Sequence, residues 1–133
     1  MKMSEESNDA SGMTKNPAAT ARRILVVDDD SSVREMVTRV LAGEGYVAWS
    51  AADNKAAMEV ASTMPFDLVL LDMNVRGRNE IVEALKRRTP APAIIIMTAR
   101  SNRNNKATST EVFLEKPLDF IKLLQTVSQL LTK

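Results

Sequence analysis

The chain of 133 residues contains no cysteine and no histidine. Without cysteine there is no disulfide framework, no thiolate nucleophile and no cysteine zinc site. Without histidine there is no Ser-His-Asp triad, no HExxH zinc helix and no imidazole acid or base. The net charge of +1 lacks the basic excess of an electrostatic nucleic-acid binder. No apolar run approaches the about 18–20 residues of a membrane span. The polar start after Met1-Lys2-Met3 has no signal-peptide apolar region. The expectation is a cytoplasmic protein with neither nucleic-acid nor membrane partners. Whatever chemistry it performs must come from carboxylates, hydroxyls, lysine, backbone and a hard cation.

At this length the chain makes one domain with a core of its own. Residues 1–21 are polar and small, without apolar periodicity, and read as a disordered tail. From residue 22 the pattern is regular. Ile24 to Val27 is a short β-branched run, the mark of a buried strand. Val33, Met36, Val37, Val40 and Leu41 then fall on one helical face. Ser31 or Ser32 is the expected cap, Ser32 and Glu35 having capping-box spacing, and Gly43 and Gly45 are the expected stop. Tyr46 to Ser50 reads as a second strand, with the lone Trp49 as a packing residue. Asp53 caps a helix running to about Met64.

Leu68 to Leu71 is a third strand, followed by helical spacing from Ile81 to Lys86. Ile94 to Met97 is a fourth strand and Val112 to Leu114 a fifth. Leu118, Ile121, Leu124, Val127 and Leu131 form a closing helix capped by Asp119. Between the last two strands, residues 100–110 hold Ala107 as their only apolar side chain, with Arg100, Arg103 and Lys106 and no acid. That composition predicts a solvated basic loop where the alternation asks for a helix.

Five apolar strands alternating with helices predict a parallel sheet covered on both faces, with the ligand site beyond the carboxyl ends of the strands. The residues expected there are Asp28, Asp29 and Asp30 after the first strand, Asp72 after the third, Thr98 after the fourth and Lys116 after the fifth. Singly, each has a plain structural explanation. An Asp triplet can be cap chemistry, a lone Asp a turn residue and a Lys-Pro pair a surface loop. Together they put carboxylates, a hydroxyl and an ammonium on one sheet edge. Clustered carboxylates repel unless a cation neutralises them, and an all-oxygen donor set suits Mg²⁺. A carboxylate beside Mg²⁺ can attack phosphorus, with the hydroxyl and ammonium holding the remaining phosphoryl oxygens. The pattern describes a Mg²⁺-assisted aspartyl-phosphate site.

Four segments in order, Ile24 to Asp30, Asp67 to Asn74, Ile96 to Ala99 and Phe113 to Pro117, resemble the receiver domain of bacterial two-component response regulators. The resemblance covers about residues 22–132. It implies an α/β, flavodoxin-like, doubly wound five-stranded parallel sheet of order 2-1-3-4-5, with helices on both faces and the fourth helix degenerate or missing. Asp72 would be the phosphoacceptor. Asp29, Asp72 and the backbone carbonyl of Asn74 would bind Mg²⁺, with Asp28 acting through water. Thr98 and Lys116 would hold phosphoryl oxygens, and Thr98 and Phe113 would form the switch pair. Asp30 falls on no ligand position of the family and is expected in the turn or cap. The implied partners are a sensor histidine kinase or histidine phosphotransfer protein and an unknown downstream protein target. Since the chain stops at the closing helix, a stand-alone receiver without output domain is the expectation.

Two features depart from the family pattern. Arg76 stands at the usual proline and Glu80 at the usual glycine, which predicts a differently shaped or looser loop after Asp72. The stretch from Thr98 to Lys116 is also shorter than usual, putting the signalling surface built on the fourth helix in doubt and favouring a monomer. These departures favour a second class, a receiver-like interaction module independent of phosphorylation. A third class, the haloacid-dehalogenase-type phosphatases, needs an acidic residue two positions after the nucleophile. Here that position is Asn74.

Overall fold

A computed structural model describes residues 21–99 and 111–132. Within them β1 (Arg23–Val27), β2 (Val47–Ala51), β3 (Leu68–Asp72), β4 (Ala93–Thr98) and β5 (Glu111–Glu115) alternate with α1 (Ser31–Gly43), α2 (Asn54–Thr63), α3 (Arg78–Lys86) and α4 (Phe120–Leu131). The strands form one all-parallel sheet in the order β2-β1-β3-β4-β5. Among the described residues no helix lies between β4 and β5. The expected basic loop at 100–110 and, apart from Ala21, the expected tail at 1–21 lie outside the described residues.

The strands read as continuous apolar runs because both faces of the sheet are covered. Their period-2 alternation divides them between two cores. Leu25, Val27, Val69, Leu71, Ile94 and Ile96 face one cluster with Ala57 and Ala61 of α2 and Ile81, Val82 and Leu85 of α3. Ile24, Val26, Leu68, Leu70, Ile95 and Met97 face the other with Val37 and Leu41 of α1 and Leu123, Val127 and Leu131 of α4. This double coverage fixes the register of the central strands, since a one-residue slip would exchange the two faces. It thereby fixes which residue ends each strand.

Most elements run one to three residues beyond or short of the expected bounds, and at two of these boundaries the hydrogen bonds show why. The cap of α1 is Asp30, whose carboxylate accepts from the amides of Ser32 (2.9 Å) and Val33 (3.4 Å). Ser31 and Ser32 are consequently helical. The Asp30 amide in turn donates to Asp28 Oδ1 at 2.9 Å, so the turn closes one residue ahead of the serines. Strand β2 starts at Val47, because the Tyr46 amide still bonds to the Leu41 carbonyl at 3.3 Å through a C-terminal turn with Gly45 at φ 93°. Trp49 packs less than expected: 43% of its surface is exposed on the edge strand β2. No helix among the described residues is long and apolar enough to cross a membrane.

Candidate functional site

The carboxyl ends of β1, β3, β4 and β5 bring Asp28, Asp72, Thr98 and Lys116 to one edge of the sheet. The first three are buried, and Lys116 is half-buried. Asp28 follows the last residue of β1, and its amide donates to the Ala51 carbonyl of β2 at 3.2 Å. Asp72 ends β3, in register with Met97, and Thr98 comes next on β4 opposite Glu115. The Lys116 amide donates to the Thr98 carbonyl at 2.6 Å, extending the β4–β5 ladder by one bond. This bond holds the lysine at the edge, ahead of a cis Lys116–Pro117 peptide.

At that edge Lys116 Nζ lies 2.7 Å from Asp28 Oδ2 and 3.3 Å from Asp72 Oδ1. Oxygens of Asp28, Asp29 and Asp72 all lie within 4.8 Å of one another, with Asp29 exposed. Burial raises the pKa of the Asp72 carboxyl and the charge of Asp28 raises it further, although Lys116 and the Asn74 amide pull the other way. The metal-free site therefore holds more negative charge than its surroundings favour. For Lys116, burial works against the charged form, but the hydrogen bond to Asp28 and the two carboxylate charges outweigh it and raise its pKa. One ammonium faces three carboxylates. A hard divalent cation fits what remains: an all-oxygen donor set, one open side through exposed Asp29, and net negative charge.

Asn74 is exposed two residues beyond Asp72, and with Asp29 it lines a groove of about 760 Å³ that continues past Asn54, Lys55 and Arg76. Phe113 sits in the middle of β5 opposite Ile96, half-buried against the α2–α3 core. Asp30 is spent on the helix cap and stands outside the carboxylate cluster. One residue of the site was missed in the sequence. Arg34, in the first turns of α1, donates from Nη1 to the backbone carbonyl of Asp28 at 2.7 Å. Its signal was a cation six positions beyond Asp28, one helical turn into α1. Asp28 is thus held through its amide, its carbonyl and both carboxylate oxygens.

The loop between β3 and α3 turns without the usual proline and glycine. Its left-handed residue is Gly77, at φ 80°. It is closed rather than loose: the Val75 amide bonds to the Asp72 carbonyl and the Arg78 amide to the Val75 carbonyl, each at 3.1 Å.

Residues 24–128 match the family model of the response regulator receiver domain. The chain belongs to this family. The receiver domain is 39% identical over 83 residues to the DNA-binding response regulator MtrA of Mycobacterium tuberculosis, covering 61% of this chain and 36% of that protein. It is 30% identical over 117 residues to the response regulator ArlR of Staphylococcus epidermidis, covering 83% and 52%. The chain thus spans about a third to a half of the length of these curated relatives. Among solved structures, the chemotaxis response regulator CheY4 of Vibrio cholerae superposes with a TM-score of 0.75 at 28% identity, covering 84% of this chain and 99% of that one. The response regulator TrrA of Thermotoga maritima, solved in complex with Mg²⁺ and BeF, superposes with a TM-score of 0.70 at 30% identity, covering 82% and 98%.

Proposed function

We propose that this receiver domain is a Mg²⁺-dependent phosphorylation switch in which Asp72 takes a phosphoryl group from a phosphohistidine of a sensor histidine kinase or phosphotransfer protein. The phosphorylated form then signals by binding a downstream protein. The observation that carries this reading is the meeting of the Asp28, Asp29 and Asp72 oxygens within 4.8 Å, with Lys116 Nζ on two of them. The 133 residues hold no histidine, so a phosphohistidine donor lies outside them.

Asp29, Asp72 and the carbonyl of Asn74 would hold Mg²⁺, with Asp28 supporting its waters. The bound cation supplies charge neutralisation at the carboxylates and the incoming phosphoryl oxygens. An Asp72 carboxylate oxygen attacks phosphorus as the P–N bond to the donor imidazole breaks. The bonding pair leaves on that nitrogen, and the product is a mixed anhydride of Asp72 and phosphate. Lys116 Nζ, already 3.3 Å from Asp72 Oδ1, is placed to pair with one phosphoryl oxygen, and the Thr98 hydroxyl takes another. Movement of Thr98 toward that oxygen would open space beside Ile96, into which Phe113, its cross-strand neighbour, turns.

The Mg²⁺ and BeF in the TrrA structure make the same pair the natural probe here. Titration of Mg²⁺ with beryllofluoride should shift the amide resonances of Asp72, Thr98 and Lys116 together, with saturation. Shifts absent from all three, in protein shown to be folded, would overturn the proposal and leave a phosphorylation-independent module.

A further inference from the structure

The loop that carries Asn74 is tied to a neighbouring loop by a side-chain bond that the phosphotransfer chemistry does not use. Asn54, the first residue of α2, donates from Nδ2 to Oε1 of Glu80, in the first turn of α3, at 3.2 Å. The bond spans the two helix N-termini at one end of the groove that Asp29 and Asn74 line. Gly77 lies directly beneath it. A Cβ there would overlap Asn54 Nδ2 and come within 3.1 Å of both Asn54 Cγ and Glu80 Oε1, and its φ of 80° disfavours any side chain.

We propose that Asn54 and Glu80 form a latch, seated over Gly77, that positions the β3–α3 loop and with it the Asn74 carbonyl for the cation. They are positioning residues, and the inference rests on the cation site described above. At its β3 end the loop is anchored to the sheet, the Met73 amide donating to the Met97 carbonyl at 2.8 Å. Beyond Asp72 it is held by two reverse turns of its own. The latch joins its far end to the β2–α2 connection, where Asp53 caps α2 through the Ala56 amide at 2.8 Å. Glu80 stands at the usual glycine of the family pattern, and the loop's left-handed residue is Gly77, three positions earlier. The loop thus gains a carboxylate that reaches Asn54 and a turn that leaves room for the contact.

The experiment measures Mg²⁺ affinity by NMR titration, together with amide exchange at Val75 and Arg78 in the metal-free protein. Asn54→Ala and Glu80→Ala should each weaken Mg²⁺ binding by about two- to fivefold, the range of an exposed hydrogen bond. Each should also speed exchange at both amides. The double variant should be no worse than either single one. Glu80→Gln, whose amide oxygen still accepts, should restore both readouts. Faster exchange with unchanged Mg²⁺ affinity would overturn the latch as a positioning device, as would additive losses in the double variant. A wild type that binds no Mg²⁺ would instead overturn the cation site and the latch with it.

Discussion

Replacing Lys116 with methionine, which keeps most of the stem and removes the charge with its two hydrogen bonds, should expose the electrostatic tension of the site. Lys116 Nζ stands between Asp28 and Asp72, at 2.7 and 3.3 Å, and the two carboxylates are 0% and 4% exposed in their side chains. Their oxygens lie no more than 4.8 Å apart. At an effective dielectric of about 20, unit charges at that separation repel by about 3.5 kcal/mol. With the ammonium gone only the Asp30 and Asn74 amides still offset this, and breaking a buried pair costs about 3–5 kcal/mol. Lys116 is itself 21% exposed, so solvent screens part of the effect, and a loss of about 2–4 kcal/mol is expected at alkaline pH.

The loss should depend on pH in a definite direction. Burial and Asp28 already raise the Asp72 pKa in the wild type, and Lys116 restrains that rise. Without Lys116 the folded-state pKa climbs further above the unfolded value. The folded form then binds more protons than the unfolded one, and stability falls as pH rises through the folded pKa. Urea denaturation without metal should show Lys116→Met closest to wild type at about pH 5 and furthest from it at about pH 8. Mg²⁺ should bind the variant more tightly than the wild type and recover much of the lost stability. A variant within about 0.5 kcal/mol of wild type at about pH 8 would refute the reasoning, as would a weaker hold on Mg²⁺.

Other perturbations separate the remaining roles. Asp29→Ala should abolish Mg²⁺ binding by titration, while Asp30→Ala should keep it and lose about 1 kcal/mol of stability, because Asp30 caps α1. Equal loss of binding in both would mean that the wrong member of the triplet had been assigned. Arg34→Ala should destabilise the fold by about 1.5–3 kcal/mol through the lost charge-assisted bond to the Asp28 carbonyl. It should also weaken Mg²⁺ binding; full Mg²⁺ affinity in a destabilised variant would confine Arg34 to the fold. Wild-type protein without metal should be more stable just above pH 4 than at neutrality with respect to Asp72, whose raised pKa favours the protonated form. Asp72→Asn should flatten that part of the stability–pH curve, and an unchanged curve would remove Asp72 as its source.

Much of this architecture was legible in the sequence because burial on both faces leaves strong marks. Runs such as Ile24 to Val27 and Leu68 to Leu71 are apolar throughout, and the strand ends they fix put Asp28, Asp72, Thr98 and Lys116 at one edge. The misses are local and competitive. Three adjacent polar residues could each have capped α1. Asp30 holds the cap because Asp28 takes its amide and turns the chain early, a contact that spacing alone does not reveal. Arg34 was hidden because its target is a backbone carbonyl, which carries no residue-type signal. The Asn54–Glu80 bond links residues 26 apart, so only the folded loops bring it into view. Gly77 was visible as a glycine, but its conformation depends on where the loop turns.

The central claim, that Asp72 is the acceptor of a Mg²⁺-dependent phosphoryl transfer, is tested most directly by intact-protein mass after incubation with acetyl phosphate. Wild-type protein with Mg²⁺ should gain one phosphoryl group. It should gain none when the cation is chelated, and Asp72→Asn should gain none under either condition. A phosphoryl group on an aspartate of Asp72→Asn, or a wild type that stays unmodified with Mg²⁺ bound, would contradict the claim.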